Sequence, residues 1–206
     1  MRDSHAARVR HRRSRAAAQA LATTDVDRSP CCPFSTPAPY IHLMSDGCGH
    51  LLAILANAPA STSGDRTRRR VVAAKDILGC KSASITNLFA VPTANVVDIA
   101  TTCVGAAEWQ AMRPAIAEGI TRADAILLAW GCTEPSGPAR AHHRAQVAWL
   151  TQIIKRAGLP VWTVGGAPRH PSRWQRYTSR AYPSLAFNDA LAISLDRRWD
   201  ALPSPS

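Results

Sequence analysis

The residues of this chain able to do chemistry gather in four short stretches. Asn57-Ala58-Pro59-Ala60-Ser61-Thr62 is followed by Asp65 and the run Arg66-Thr67-Arg68-Arg69-Arg70. Asn87-Leu88-Phe89-Ala90 is the second, and Ala123 to Gly131, ending in Ala129-Trp130-Gly131, is the third. The fourth is Gly165-Gly166-Ala167-Pro168-Arg169-His170-Pro171, with Ser172, Arg173, Trp174, Arg176 and Tyr177 behind it. Amide and imidazole side chains can both donate and accept hydrogen bonds, and arginines hold phosphate oxygens. Between Pro135 and Asn188 there is no acid, yet eight bases: Arg140, Arg144, Lys155, Arg156, Arg169, Arg173, Arg176 and Arg180. Such a stretch suits a phosphate backbone. It suits a solvated basic face equally well.

Several other chemistries are missing. There is no G-x-x-x-x-G-K-[ST] loop, no G-x-G-x-x-G fingerprint after a strand, no G-x-S-x-G elbow and no H-E-x-x-H. The zinc-deaminase signature is absent as well. The six cysteines form no C-x-x-C pair, and Cys48-Gly49-His50 supplies at most two ligands, so neither a metal nor a cofactor is expected. The cysteines read as reduced thiols of a cytoplasmic protein. His142 and His143, flanked by Arg140 and Arg144, read as surface residues.

The elements that must position these stretches follow from length and patterning. The 206 residues suffice for one domain with about fifty left for tails. Hydrophobic residues make up 46%, which excludes a wholly disordered chain. No run of about 18 apolar residues exists, so no membrane-spanning helix and no membrane partner is expected. Of the 25 basic residues 22 are arginine, a bias that composition alone explains. Residues 1–44, with seven Arg and four prolines from Pro30 to Pro39, read as a disordered basic tail. Their Arg-rich start also resembles a transit peptide, and Met44 stands where a later start would fall. The domain proper spans 45–206. Strands are expected over His50 to Asn57, Ser82 to Ala90, Ala125 to Trp130 and Pro160 to Val164. Helices are expected over Asp65 to Leu78, Ala106 to Ile120, Pro138 to Ala157 and Leu185 to Arg198. Alternation of this kind predicts a single α/β domain with a mainly parallel four-stranded sheet and helices on both faces. Ligands bind such sheets beyond the carboxyl ends of the strands, which is where the four stretches fall.

Taken together and in this order, the four stretches resemble the bacterial and phage family catalogued as domain of unknown function 1643. Its marks are an Asn-Pro-Ser-Thr-Ala-Asp turn, a downstream Arg-Arg, Asn-Leu-Phe-Ala, Ala-Trp-Gly and Pro-Arg-His-Pro. The resemblance covers about residues 50 to 177 and departs at Ala58 and Ala60, which interrupt the first motif. The same order of features is similar to the uracil-DNA glycosylase superfamily. That likeness implies hydrolysis of an N-glycosidic bond on nucleic acid. By it Asn57 positions water, with Asp65 as a spare acid; Asn87 reads the base and Phe89 stacks on it. His170 stabilises the departing base, while Arg169, Ser172, Arg173 and Arg176 hold phosphates. Two other readings use the same crevice: a non-catalytic module binding nucleotide or nucleic acid, and an enzyme of free or modified nucleotides.

Overall fold

The computed structural model describes residues 47–60, 64–93, 98–100 and 105–197. The expected tail over 1–44, the Met44 start, Cys31, Cys32 and Cys103 lie outside them.

Strand β1 (His50–Pro59) is apolar and buried from Leu51 to Ala56, as a strand covered on both faces must be. Its residues alternate by the two-residue period of a strand. Leu52, Ile54 and Ala56 enter one hydrophobic cluster, and Leu51, Ala53 and Leu55 enter the other. Helix α1 (Asp65–Ile77) leads to β2 (Ser82–Thr93), which pairs parallel with β1. The short α2 (Ala107–Gln110) and α3 (Arg113–Thr121) then lead to β3 (Ala125–Leu128), parallel to β1 on its other side. Helix α4 (Pro138–Ala157) connects β3 to the parallel β4 (Val161–Val164). Helices α5 (Pro171–Ala181) and α6 (Phe187–Ser194) end in β5 (Leu195–Arg197). Trp109, Ile116, Leu150 and Ile154 place α2, α3 and α4 on one face of the sheet. Val71, Ala74, Trp174 and Leu191 place α1, α5 and α6 on the other.

The α/β domain and the parallel strands are as expected, but the sheet has five strands, in the order β2-β1-β3-β4-β5. The fifth lies in what reads as the end of one helix over Leu185 to Arg198. Instead α6 stops at Ser194, whose carbonyl accepts from Gly165 N (2.7 Å), and β5 pairs antiparallel with β4. That pairing satisfies backbone groups along the buried edge of β4, which outweighs three residues of helix propensity. The expected helix over Ala106 to Ile120 is likewise two helices. Pro114 sits in the first turn of α3, where its missing N–H costs nothing.

Two side-chain expectations are corrected. His143 is buried on α4, its ring edge-on to Trp109 at 5.7 Å, and burial with the nearby Arg144 lowers its pKa against the raising effect of Glu134. Cys48 and Cys80, expected as reduced thiols, form a disulfide. The cause is register: His50 pairs with Ser82, so the residues two positions upstream on each chain meet, with Cα atoms 4.3 Å apart. Among the described residues no helix is long and apolar enough to cross a membrane, and no three His, Cys, Asp or Glu side chains group as a metal site.

Candidate functional site

From β1 the chain crosses to β2 on one side, and from β3 it crosses to β4 on the other. Where the winding of a parallel sheet reverses, the loops part and leave a crevice. Here it is about 1430 Å³ in volume, bounded by the end of β1, the start of α1, Trp130 to Thr133 after β3, and the loop that starts α5. Asn57, Asp65, Asn87, Arg169, His170, Ser172 and Arg173 all line it.

Asn57 stands where the β1–β2 register shifts, between its own pairing with Phe89 and that of Pro59 with Thr93. Its Nδ2 donates to Ala58 O (2.9 Å), Thr93 O (3.0 Å) and Thr93 Oγ1 (2.7 Å). Both amide hydrogens are thereby committed, which fixes the side chain and leaves Oδ1 as its available acceptor. Asn87 is half-buried in the same lining, and its amide makes no hydrogen bond with the described residues. Asp65 opens α1, a favourable place for a carboxylate. It is mostly exposed and lies 3.5 Å from the Arg68 guanidinium.

His170 caps α5. Its Nδ1 accepts from Ser172 N (3.2 Å) and stands 2.9 Å from Ser172 Oγ. A backbone N–H can only donate, so Nδ1 is an acceptor and the imidazole proton resides on Nε2. Burial first, then the positive charges of Arg173 and Arg70, push the His170 pKa below its ordinary value. The residue is therefore a neutral N–H donor at neutral pH. Its loop is held from several sides. Gly131 N donates to Pro168 O (2.5 Å), Trp174 Nε1 donates to Arg169 O (2.7 Å), and Arg70 Nη1 on α1 donates to Pro171 O (2.5 Å).

Arg169 lies over the Tyr177 ring, 4.3 Å from its centre, and Arg173 is exposed at the rim. Arg176 is exposed further along α5 and does not line the crevice. The expectation for Phe89 is corrected. Its ring is fully buried against Trp109, with centroids 4.8 Å apart, on the face covered by α2 and α4. It cannot receive a base there without dismantling the core. Trp130 lines the crevice but is itself buried in the same hydrophobic cluster.

Arg66, Arg68 and Arg69, singled out in the sequence as a run but given no role there, also line the crevice. The arginine run behind Asp65 was the available signal, because the first turn of a helix leaving a parallel strand faces the crevice. Cys132, an exposed free thiol, and Thr133 also line it and carried no pattern of their own.

A doubly wound α/β domain with an arginine-rimmed crevice at its switch point defines the class. Within it, the chain matches the family described as protein of unknown function, DUF1643, over residues 51–172, and belongs to that family. No curated protein and no solved structure matches it.

Proposed function

We propose that the chain hydrolyses the N-glycosidic bond of a particular base in nucleic acid. The observation that carries this reading is the neutral His170, with its proton on Nε2, in one crevice with Asn57 and Asn87. When the bond breaks, positive charge grows on the sugar and negative charge on the departing base. A fixed neutral N–H donor at the base carbonyl stabilises that anion without itself needing to titrate. The Oδ1 of Asn57 accepts a hydrogen bond from water and aims its lone pair at the sugar carbon. Asp65, at the crevice lip, takes up the water's proton. The amide of Asn87 has donors and an acceptor to offer a base edge. Arg69, Arg169 and Arg173, with the hydroxyl of Ser172, meet the phosphates of the displaced nucleotide. No step calls for a metal or a cofactor.

A strand-scission assay tests the reading, on labelled single- and double-stranded oligonucleotides carrying uracil, hypoxanthine, thymine mismatches and common modified bases. Alkali reveals abasic sites. Cleavage that disappears in both His170→Ala and Asn57→Ala supports the hydrolase. Salt-sensitive binding without cleavage, surviving His170→Ala, replaces it with a binding module. With neither, nucleic acid is abandoned and free nucleotides are the next ligands.

A further inference from the structure

At the amino-terminal end of the sheet, away from the crevice, a shallow depression of about 350 Å³ is lined by His50, Ser84 and Arg122. We propose that it is a second reactive site, in which Ser84 is a nucleophile toward small carboxylic esters. His50 opens β1 and pairs in register with Ser82, and Ser84 follows on the same face two residues later. The imidazole bridges the two hydroxyls, with Nδ1 2.8 Å from Ser82 Oγ and Nε2 2.8 Å from Ser84 Oγ. Ser82 Oγ also donates to Gly49 O at 3.1 Å.

These contacts fix the order of the protons. The Gly49 carbonyl can only accept, so it takes the one hydroxyl proton of Ser82. The Ser82 oxygen must then accept from Nδ1–H of His50. A neutral imidazole has a single N–H, so Nε2 is the acceptor and the Ser84 hydroxyl donates to it. The arrangement is a nucleophile, a base and a group that orients the base, all within hydrogen-bond reach. Asp124 Oδ2 holds the His50 backbone N–H at 2.7 Å, which steadies the base from behind. Arg122 lines the depression, and its exposed ion pair with Glu118 (2.8 Å) is of a kind that constrains it little. A polar ladder on an edge strand would also satisfy Ser82 and His50. The cation lining the same depression goes beyond what such a ladder needs.

The reaction balances with water alone. Ser84 Oγ attacks the ester carbonyl carbon while its proton passes to His50 Nε2, and the carbonyl electron pair moves onto oxygen beside Arg122. The tetrahedral intermediate collapses, and the alcohol leaves with the proton from Nε2. Water then attacks the acyl group on Ser84 in the same manner, releasing the carboxylic acid and restoring the hydroxyl. The small, open depression limits substrates to short acyl groups.

The test uses the full chain with a fluorophosphonate probe and with p-nitrophenyl acetate. Mass spectrometry is expected to find the phosphonate on Ser84, and His50→Gln to slow ester hydrolysis by about 100-fold or more. Ser84→Ala should abolish both signals, whereas His170→Ala should leave both intact. Ser84→Cys supplies a check that does not depend on ester fit. Its thiol should be alkylated by iodoacetamide at least tenfold faster than in the Ser84→Cys, His50→Gln double variant. Absence of an adduct at Ser84, hydrolysis unchanged by Ser84→Ala, or equal alkylation rates in the two cysteine variants would each overturn the proposal.

Discussion

Asn57 and His170 are both held through one group so that another is left for use. The amide nitrogen of Asn57 is tied to Thr93, and Nδ1 of His170 to the backbone of Ser172. Thr93→Val removes the hydroxyl contact and leaves the strand shape. If Asn57 aims water, single-turnover base release should fall by about 10- to 100-fold with the melting temperature nearly unchanged. Two histidines, the buried His143 and the half-buried His170, make a pH prediction. Burial lowers the pKa of both His143 and His170 below the ordinary imidazole value. Between the lowered and ordinary values the unfolded chain binds protons that the native chain refuses. Stability is therefore full above about pH 6.5 and falls as pH drops through that window. Urea titrations from pH 8 to pH 5 should show this loss, and His143→Phe should reduce it. Of these residues, Asn57 and His170 were legible as polar groups after a strand's apolar run, whereas Asn87, expected where β2 ends, lies in its middle because β2 continues to Thr93. His143 was not legible, because its arginine neighbours suggest a surface while Trp109, distant in sequence, covers it.

At the scale of elements, patterning succeeded where burial is two-sided or strongly periodic. β1 announces itself as a run of apolar residues, and α4 by its stripe, the proline at its start and Gly158 after its end. It failed for β5, whose three residues continue the helical spacing of α6 and become a strand only because β4 lies beside them. It also failed for Phe89, since consecutive Leu88 and Phe89 are both buried where β2 departs from simple alternation. Phe89→Ala should thus cost about 3–5 kcal/mol of folding stability, as removal of a core aromatic does. A stacking platform would instead show lost binding with stability intact, and chemical denaturation separates the two. The turn between β4 and α5 makes a sharper demand. Gly165 has φ +61°, and a Cβ there would run into the Tyr177 ring that carries Arg169. Gly165→Ala should destabilise by about 2–4 kcal/mol, combining a left-handed backbone with overpacking. A melting temperature equal to wild type would contradict that packing.

The two candidate sites lie at opposite ends of the sheet. The carboxyl ends carry the arginine-rimmed crevice, and the amino ends carry the Cys48–Cys80 disulfide and the His50 cluster. The disulfide closes a loop with a sequence separation of 32, for which chain entropy gives about 3–4 kcal/mol. Thermal melts with and without reductant should differ accordingly, and Cys48→Ala should melt like the reduced protein. The family match ends at residue 172, just past the histidine, while the parts that seat this histidine come later. Trp174 holds the Arg169 carbonyl, Tyr177 carries the Arg169 guanidinium, and β5 closes the edge of β4. The stretch that identifies the family and the stretch that folds are therefore different lengths. A gene fragment truncated after Ser172 would still be recognised by every motif, yet it would encode a sheet with an open edge at β4 and a histidine loop that has lost Trp174 and Tyr177.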